Sequence, residues 1–462
     1  MMRVSDILNS TGAVLLRGDG ARTVHGVSTD TRALRPHQLF LALSGPNFDG
    51  NLFAQAACQL GAGALLLKGD SSLKLPDLQG DVPLVVHAEP RRALADLARW
   101  HRSRLAAPVI GITGSCGKTT TKNILGQLLA TRMRTVASPN SFNNDVGVPH
   151  TLLLADATTQ ALVLEIGTNA PGEIAALARI AQPTGAIITM IGASHLEGLG
   201  SVEGVAREKS ALFASLPANG FAVLNVDCRH ADLLRAATNA RVITVSVDGE
   251  GELNATNLLF HSGGSTFRLN GHEVSVPLLG AHNVSNLLCA LAACQGMGID
   301  LDALLPAVSS LKGGHRRMER HEIEGLVVFD DTYNANPESA RAAVRFLSGV
   351  HGRGRRVMVL GDMLELGASS PELHHAVGRD IAAASIDLLV LVGEQVQATA
   401  AGALEGGMPA RSVVYLKDAA QAASELDSVL RQGDTVLLKA SRRIGLDRVV
   451  DHLRNRQGTG VG

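Results

Sequence analysis

Residues 109 to 125, VIGITGSCGKTTTKNIL, contain the residue types that chemistry on a phosphate requires. Glycines at 114 and 117 let the backbone curl until consecutive N–H groups face one point, and a helix N-terminus follows directly. Lys118 adds a mobile cation, and Thr119 a hydroxyl suited to Mg²⁺. Together Gly114, Ser115, Cys116, Gly117, Lys118, Thr119 and Thr120 fit the phosphates of a nucleoside triphosphate. The strict P-loop pattern wants glycine at 112, where Ile112 stands, so the shorter GxxGK[ST] form remains. An ordinary strand-to-helix turn with a chance lysine is the plainer alternative. GKTT between an apolar strand and a helical pattern disfavours it. The chain lacks an [NT]KxD base-reading motif, which counts against a guanine-nucleotide switch.

Other polar clusters follow apolar runs. SPNSFNNDVGVP holds Asn140, Asn143 and Asn144, whose amides suit a peptide-like or sugar ligand, although turn chemistry explains them as well. Glu165 ends LVLEIG, where a carboxylate can hold Mg²⁺ opposite Thr119 or cap the next helix. His195 lies in a glycine-flanked turn, IGASHLEGLGS. Lys209 is on a helix beside Val205, Leu212 and Phe213, a setting in which a lone lysine is normally a solvated cation. His282, Asn283 and Asn286 open an apolar helix; an asparagine amide there can read an adenine edge or simply begin the helix. VVFDDTYNANPESARAAV presents Asp330, Asp331, Tyr333, Asn334 and Asn336, with Asn336 and Pro337 also fitting a helix cap. LLKASRRIG ends a strand with Lys439, Ser441 and Arg442, suited to pairing with a carboxylate or phosphate.

The elements that must position these residues alternate along the chain. APVIGITG, QALVLEIG, GAIITMIG and FAVLNVD read as strands buried on both faces. LVVFDDT, RRVMVLGDM, DLLVLVGE and DTVLLKAS repeat the pattern nearer the C-terminus. A helix is predicted over 119–131, with Ile124, Leu125, Leu128 and Leu129 on one face. The fold class is α/β with right-handed crossovers, and ligands are expected beyond the carboxyl ends of the strands. Breaks near 105 and 314 give blocks 1–105, 106–314 and 315–462. A chain of 462 residues with 45% hydrophobic and 3% aromatic residues implies aliphatic cores. Its formal charge of -1 argues against whole-chain attraction to nucleic acid or anionic membrane. Five cysteines without CxxC spacing predict reduced thiols. No secretory leader and no apolar run of ~20 residues is seen, so a soluble, cytoplasmic protein is expected.

Taken together, SFNNDVGVP, EIGTNAPGEI, HLEGLGS, DDTYNANP, STDTR and LFLALSGPNFDG resemble the Mur ligases, ATP-dependent amide-forming enzymes of peptidoglycan precursor synthesis. The likeness spans nearly the whole chain. It implies an N-terminal UDP-sugar-binding domain (1–105), a central P-loop ATPase domain with a parallel sheet (106–314) and a C-terminal Rossmann-like domain (315–462). Within the family, YNANP points to the member that takes UDP-N-acetylmuramoyl-tripeptide and D-alanyl-D-alanine. A monomer is expected, with neither nucleic acid nor membrane as partner.

The resemblance also assigns roles. Ser28, Thr29, Asp30, Asp49 and Gly50 would line the uridine nucleotide site. Residues 114–120 would hold the ATP phosphates, Asn283 would read adenine, and Arg317 and Asp331 would contact phosphate or ribose. Thr119 and Glu165 would bind one Mg²⁺, and His195 a second, joined by Lys209 if CO₂ carbamylates it. Asn143, Asn144, Thr168, Asn334, Asn336 and Arg442 would surround the peptide substrates. The chain departs from the family's spelling at Ala211, Asn51 and Ala440, and the Arg316–Arg317 doublet leaves open which arginine faces the nucleotide. A sibling ligase with another acceptor, or a P-loop switch that gates a partner, are the competing readings.

Overall fold

The computed structural model describes residues 1–70, 78, 81–261, 263–350 and 354–456. Aliphatic runs without polar alternation become strands covered on both faces. Val109–Thr113, Ala161–Glu165, Phe221–Asn225, Leu388–Val392 and Thr435–Lys439 are buried at every position. Compactness divides the chain into two units: Met1–Gly111 with Arg132–Thr168 and Glu173–Thr184, then Ile112–Thr131 with Asn169–Gly172 and Gly185–Gly462. These cuts differ from the composition breaks near 105 and 314.

The first unit contains a five-stranded sheet in the order Val14–Arg17, Leu84–His87, Ala64–Lys68, Leu39–Leu41, Val27–Ser28. Only its Val14 edge is antiparallel. Ser28 pairs with Phe40, so the segments carrying Asp30 and Asp49 leave neighbouring parallel strands at the same end. Phe40, Leu65 and Leu67 anchor one core cluster of this unit.

A seven-stranded sheet has the order Thr135–Ala137, Ala161–Glu165, Val109–Thr113, Gly185–Ile188, Phe221–Asn225, Arg241–Ser246, Leu253–Asn254. The chain adds strands on both sides of Val109–Thr113, which creates the reversal of order beyond which α/β proteins bind ligands. The expected helix forms as Lys118–Ala130, and Ala281–Gly296 packs against it.

A small antiparallel sheet, Thr256–His261, Gly264–Leu269 and His272–Val276, was not foreseen in the α/β reading. Asn270 (φ 48°) and Gly271 (φ 85°) make the tight turn between its last two strands, and the NG dipeptide was the available signal.

The sheet nearest the C-terminus runs Glu319–Ile323, Leu326–Asp331, Thr435–Lys439, Arg356–Gly361, Leu388–Val392, Val413–Leu416. All its pairings are parallel except the first. Alternate side chains feed two cores: Phe329, Leu437 and Met358 on one face, Val328, Val436 and Val357 on the other. Thr435–Lys439 fills the slot between Leu326–Asp331 and Arg356–Gly361, which places Asp331 beside Lys439. Among the described residues no helix is long and apolar enough to cross a membrane, and the five cysteines are free.

Candidate active site

The turn after Val109–Thr113 is shaped by two glycines. Gly114 has φ 149°, and a Cβ there would lie 2.0 Å from Thr189 Oγ1. Gly117 has φ 85°, and its Cβ would lie 2.3 Å from Asn286 Oδ1. A side chain at either position would collide with the residues that support the loop and force it out of shape. Neighbouring segments hold the loop from beneath. Ser115 N–H donates to the Met190 carbonyl (2.8 Å), Ser115 Oγ donates to the Gly192 carbonyl (3.0 Å), and Thr189 Oγ1 donates to the Cys116 carbonyl (2.5 Å). Burial pushes the Cys116 thiol up to about 11, which makes it a poor nucleophile at neutral pH.

Helix Lys118–Ala130 starts from Gly117 in the left-handed region without a side-chain cap. Its leading N–H groups therefore form a positive end suited to an anion. Lys118 Nζ curls back to donate to the Gly114 carbonyl (2.6 Å), so its charge lies over the loop. Thr120 is buried.

Residues from the later segment face this loop. Arg317 Nη2 donates to Thr119 Oγ1 (2.8 Å), and its guanidinium lies 4.0 Å from the Tyr333 ring centre. Arg316 turns away to pair with Asp447 and Asp451. Asn336 satisfies two readings at once. Its Oδ1 caps helix Pro337–Gly349 by accepting from Ser339 N–H (2.9 Å), and its Nδ2 donates to the Ser115 carbonyl (3.3 Å). Lys439 Nζ donates to Asp331 Oδ2 (2.5 Å) and the Asn334 carbonyl (3.0 Å), which ties the YNANP turn to the strand end. The Asn334 side chain is exposed. Arg442 lies 5.9 Å from the Tyr333 ring centre and 3.3 Å from Asp447. Asn283 is buried, with Nδ2 donating to the Leu279 carbonyl (2.9 Å) and Oδ1 accepting from Asn286 Nδ2 (3.2 Å).

Lys209 departs from the solvated setting usual for a lone helix lysine. It is 0% exposed on helix Val202–Ala214, and its Nζ has no hydrogen-bond partner among the described residues. Burial first, then the positive charge of Lys118, holds its ammonium well below the usual lysine range. His195 (φ 52°) precedes the short helix Leu196–Leu199, and its Nδ1 lies 2.7 Å from Glu365 Oε2.

In the first unit, Asn143 Nδ2 donates to Glu165 Oε1 (2.9 Å), while the buried Glu165 Oε2 has no partner among the described residues. Asn144 follows turn chemistry, its Oδ1 accepting from Gly147 N–H (2.9 Å). Thr168 is buried and Thr29 half-buried. Ser28 Oγ donates to the Asp30 carbonyl (2.9 Å), and the Asp30 carboxylate accepts from Arg32 N–H (2.9 Å) and pairs with its guanidinium. Asp49 Oδ1 accepts from Ser44 Oγ (2.9 Å) and Asn51 N–H (3.0 Å). A Cβ on Gly50 would meet the Leu43 carbonyl at 2.2 Å. Asn51 clamps the Lys68 backbone with both ends of its amide.

Sequence reasoning missed Thr189, Ser194, Glu338 and Glu365. Ser194 Oγ donates to Ser115 Oγ (2.9 Å), and Glu338 Oε1 accepts from Ala193 N–H (2.9 Å). Each partner lies at least 73 residues away in sequence, so no local pattern marks these residues.

The chain matches three family models: the Mur ligase family catalytic domain over residues 23–102, the Mur ligase middle domain over 112–294, and the Mur ligase glutamate ligase domain over 316–442. It belongs to the Mur ligase family. It is 37% identical to the UDP-N-acetylmuramoyl-tripeptide–D-alanyl-D-alanine ligase of Bacillus subtilis, covering 93% of each chain. It is 35% identical to the enzyme of that name from Escherichia coli, over 98% of each. The solved MurF of Acinetobacter baumannii superposes with a TM-score of 0.87 at 29% identity, over 98% of both chains. MurF ligase of Thermotoga maritima in complex with ADP gives 0.79 at 25% identity, over 94% of this chain and 99% of that one.

Proposed function

We propose that this chain is the ATP-dependent ligase that joins D-alanyl-D-alanine to UDP-N-acetylmuramoyl-tripeptide, acting as a cytoplasmic monomer. The carrying observation is the glycine cradle at 114–117 with an open helix end behind it, Lys118 over it and Arg317 beside Thr119. The matched relatives bear that activity in their names over nearly the full chain. We assign residues 1–105, 106–314 and 315–462 to UDP-sugar, ATP and amino-substrate domains.

A carboxylate resists amide formation because it is a poor electrophile. One of its oxygens attacks the γ-phosphorus of ATP, the β–γ bond breaks, and ADP leaves with the bond electrons. The loop N–H groups and Lys118 offset the repulsion between the two anions. The neutral amine of D-alanyl-D-alanine then attacks the acyl phosphate; the carbon–oxygen bond to phosphate breaks and the nitrogen gives up a proton. Holding three substrates in line can contribute up to about 7–11 kcal/mol of acceleration. Asn283 would orient adenine, and Asp331 and Arg317 ribose or phosphate. Ser28, Thr29, Asp30, Asp49 and Gly50 would seat the uridine nucleotide. Asn143, Asn144, Thr168, Asn334, Asn336 and Arg442 would contact the peptides.

Two Mg²⁺ sites fit the residues present. Glu165 keeps one buried carboxylate oxygen without a hydrogen-bond partner among the described residues, so we assign it and Thr119 to one ion, and His195 and Lys209 to the other. Bound there, Mg²⁺ supplies charge neutralisation on the transferring phosphoryl group. The buried Lys209 is favoured as a neutral amine, the form that adds CO₂ to give a carbamate and one proton. A native mass spectrum of the nucleotide-loaded protein without added CO₂ on Lys209 would remove that assignment.

The decisive experiment follows phosphate release with UDP-muramoyl-tripeptide present. D-alanyl-D-alanine should stimulate it and single amino acids should not, and ¹⁸O from the tripeptide carboxylate should appear in the phosphate. Acceptor-independent release would favour a switch, and stimulation by one amino acid a sibling ligase.

A further inference from the structure

We propose that Glu365 is a positioning residue for His195, fixing which imidazole nitrogen is offered to a divalent cation. This rests on reading His195 as a cation ligand. Glu365 Oε2 lies 2.7 Å from His195 Nδ1. The approach is oblique and outside ideal hydrogen-bond alignment, as is common before ligands load a site. A carboxylate on one ring nitrogen sets the tautomer and ring orientation and leaves the other nitrogen as donor to a metal.

Both residues are held in unusual backbone. His195 has φ 52° and Glu365 φ 66°. Non-glycine residues persist in the left-handed region only where their surroundings over-determine it. Those surroundings are present around Glu365. Met363 N–H donates to His374 Nε2 (3.0 Å) and Leu364 N–H to Ser441 Oγ (2.9 Å). The Asp362 carboxylate accepts from Glu394 and Val396 N–H (3.1 and 2.9 Å), and Leu366 is buried in the core. A Cβ on Gly367 would sit 3.3 Å from Glu197 Cα, so the loop lies close against the turn that carries His195.

Stability does not account for the pair. The Glu365 side chain is 48% exposed, and ion pairs that open to solvent stabilise little. A rigid loop that presents one half-exposed carboxylate to one histidine is explained by aiming the ring. Because Glu365 follows Arg356–Gly361 and His195 follows Gly185–Ile188, the contact makes the cation site depend on where the later segment sits.

The test is Mn²⁺ titration by electron paramagnetic resonance on the full chain with a non-hydrolysable ATP analogue. The unsubstituted chain should bind two ions. Glu365→Ala should weaken one by about 10–100-fold and leave the other unchanged, while Glu365→Gln, which retains an oxygen acceptor, loses less. Selective ¹⁵N-histidine spectra without metal, assigned with His195→Gln, should show Nδ1–H in the unsubstituted chain and a shifted tautomer balance in Glu365→Ala. Two sites of unaltered affinity in Glu365→Ala, or an unchanged tautomer, would overturn the proposal alone. One site in the unsubstituted chain, or two in His195→Ala, would overturn the ligand reading and the proposal with it.

Discussion

Lys118 and Arg317 reach the same turn from stretches of one unit that are far apart in sequence, and each has a distinguishable job. Lys118→Ala should lower kcat by about 10²–10³-fold or more, the range for losing one group that stabilises developing charge. UDP-substrate affinity, measured by calorimetry, should survive. The arginine doublet separates in the same way. Arg317→Ala removes the guanidinium beside Thr119 and should cut ligation severely with little change in melting temperature. Arg316→Ala takes the guanidinium from Asp451 and leaves Asp447 with Arg442; it should lower stability by about 1 kcal/mol and spare turnover. The reverse pattern would exchange their roles. Asn283 already spends its amide on Leu279 and Asn286, so Asn283→Ala should raise the KM for ATP more than it lowers kcat if that buried amide shapes the adenine side of the site.

Helix Pro337–Gly349 shows how one residue can cap an element and dress a site. Asn336→Asp keeps the oxygen that accepts from Ser339 N–H but loses the donor to the Ser115 carbonyl. Asn336→Ala loses both. Thermal melts should show a cost of ~1 kcal/mol for alanine and much less for aspartate, while both lower kcat. Equal stability of the two variants, or an unchanged kcat in either, would refute the double role.

At the scale of the molecule, burial of histidines sets the acid limit. His101, His150, His282 and His374 are all held below the usual imidazole range by burial, His282 at about 4. A depressed histidine favours the neutral form in the native state, so unfolding takes up protons. That stability is complete above about 6.5, the unfolded value, and is lost as pH falls toward the folded one. Asp330, raised by burial, acts oppositely: its contribution is present at low pH and fades as pH rises past the ordinary aspartate value. The four histidines outweigh Asp330, and carboxylates held below their usual range, such as Glu365 beside His195, act with them as the pH approaches 4, so the melting temperature should drop between pH 6.5 and 4. A flat profile across that window would contradict the burial of these rings.

The α/β class, the doubly buried strands and the phosphate loop could all be read from the chain, because each leaves a local pattern. A strand buried on both faces reads as a near-continuous apolar run, and glycines ahead of a helix let backbone N–H groups turn toward an anion. The sequence also carried the family through strings such as YNANP and SFNNDVGVP. Tertiary structure alone decided which partners the polar residues find. Asn144 Oδ1 accepts from a turn N–H, Lys209 is buried, Arg316 and Arg317 part, and Glu365 meets His195 from 170 residues away in the chain. A side chain's charge state and partner depend on groups that sequence spacing does not bring near, and only the packed chain does.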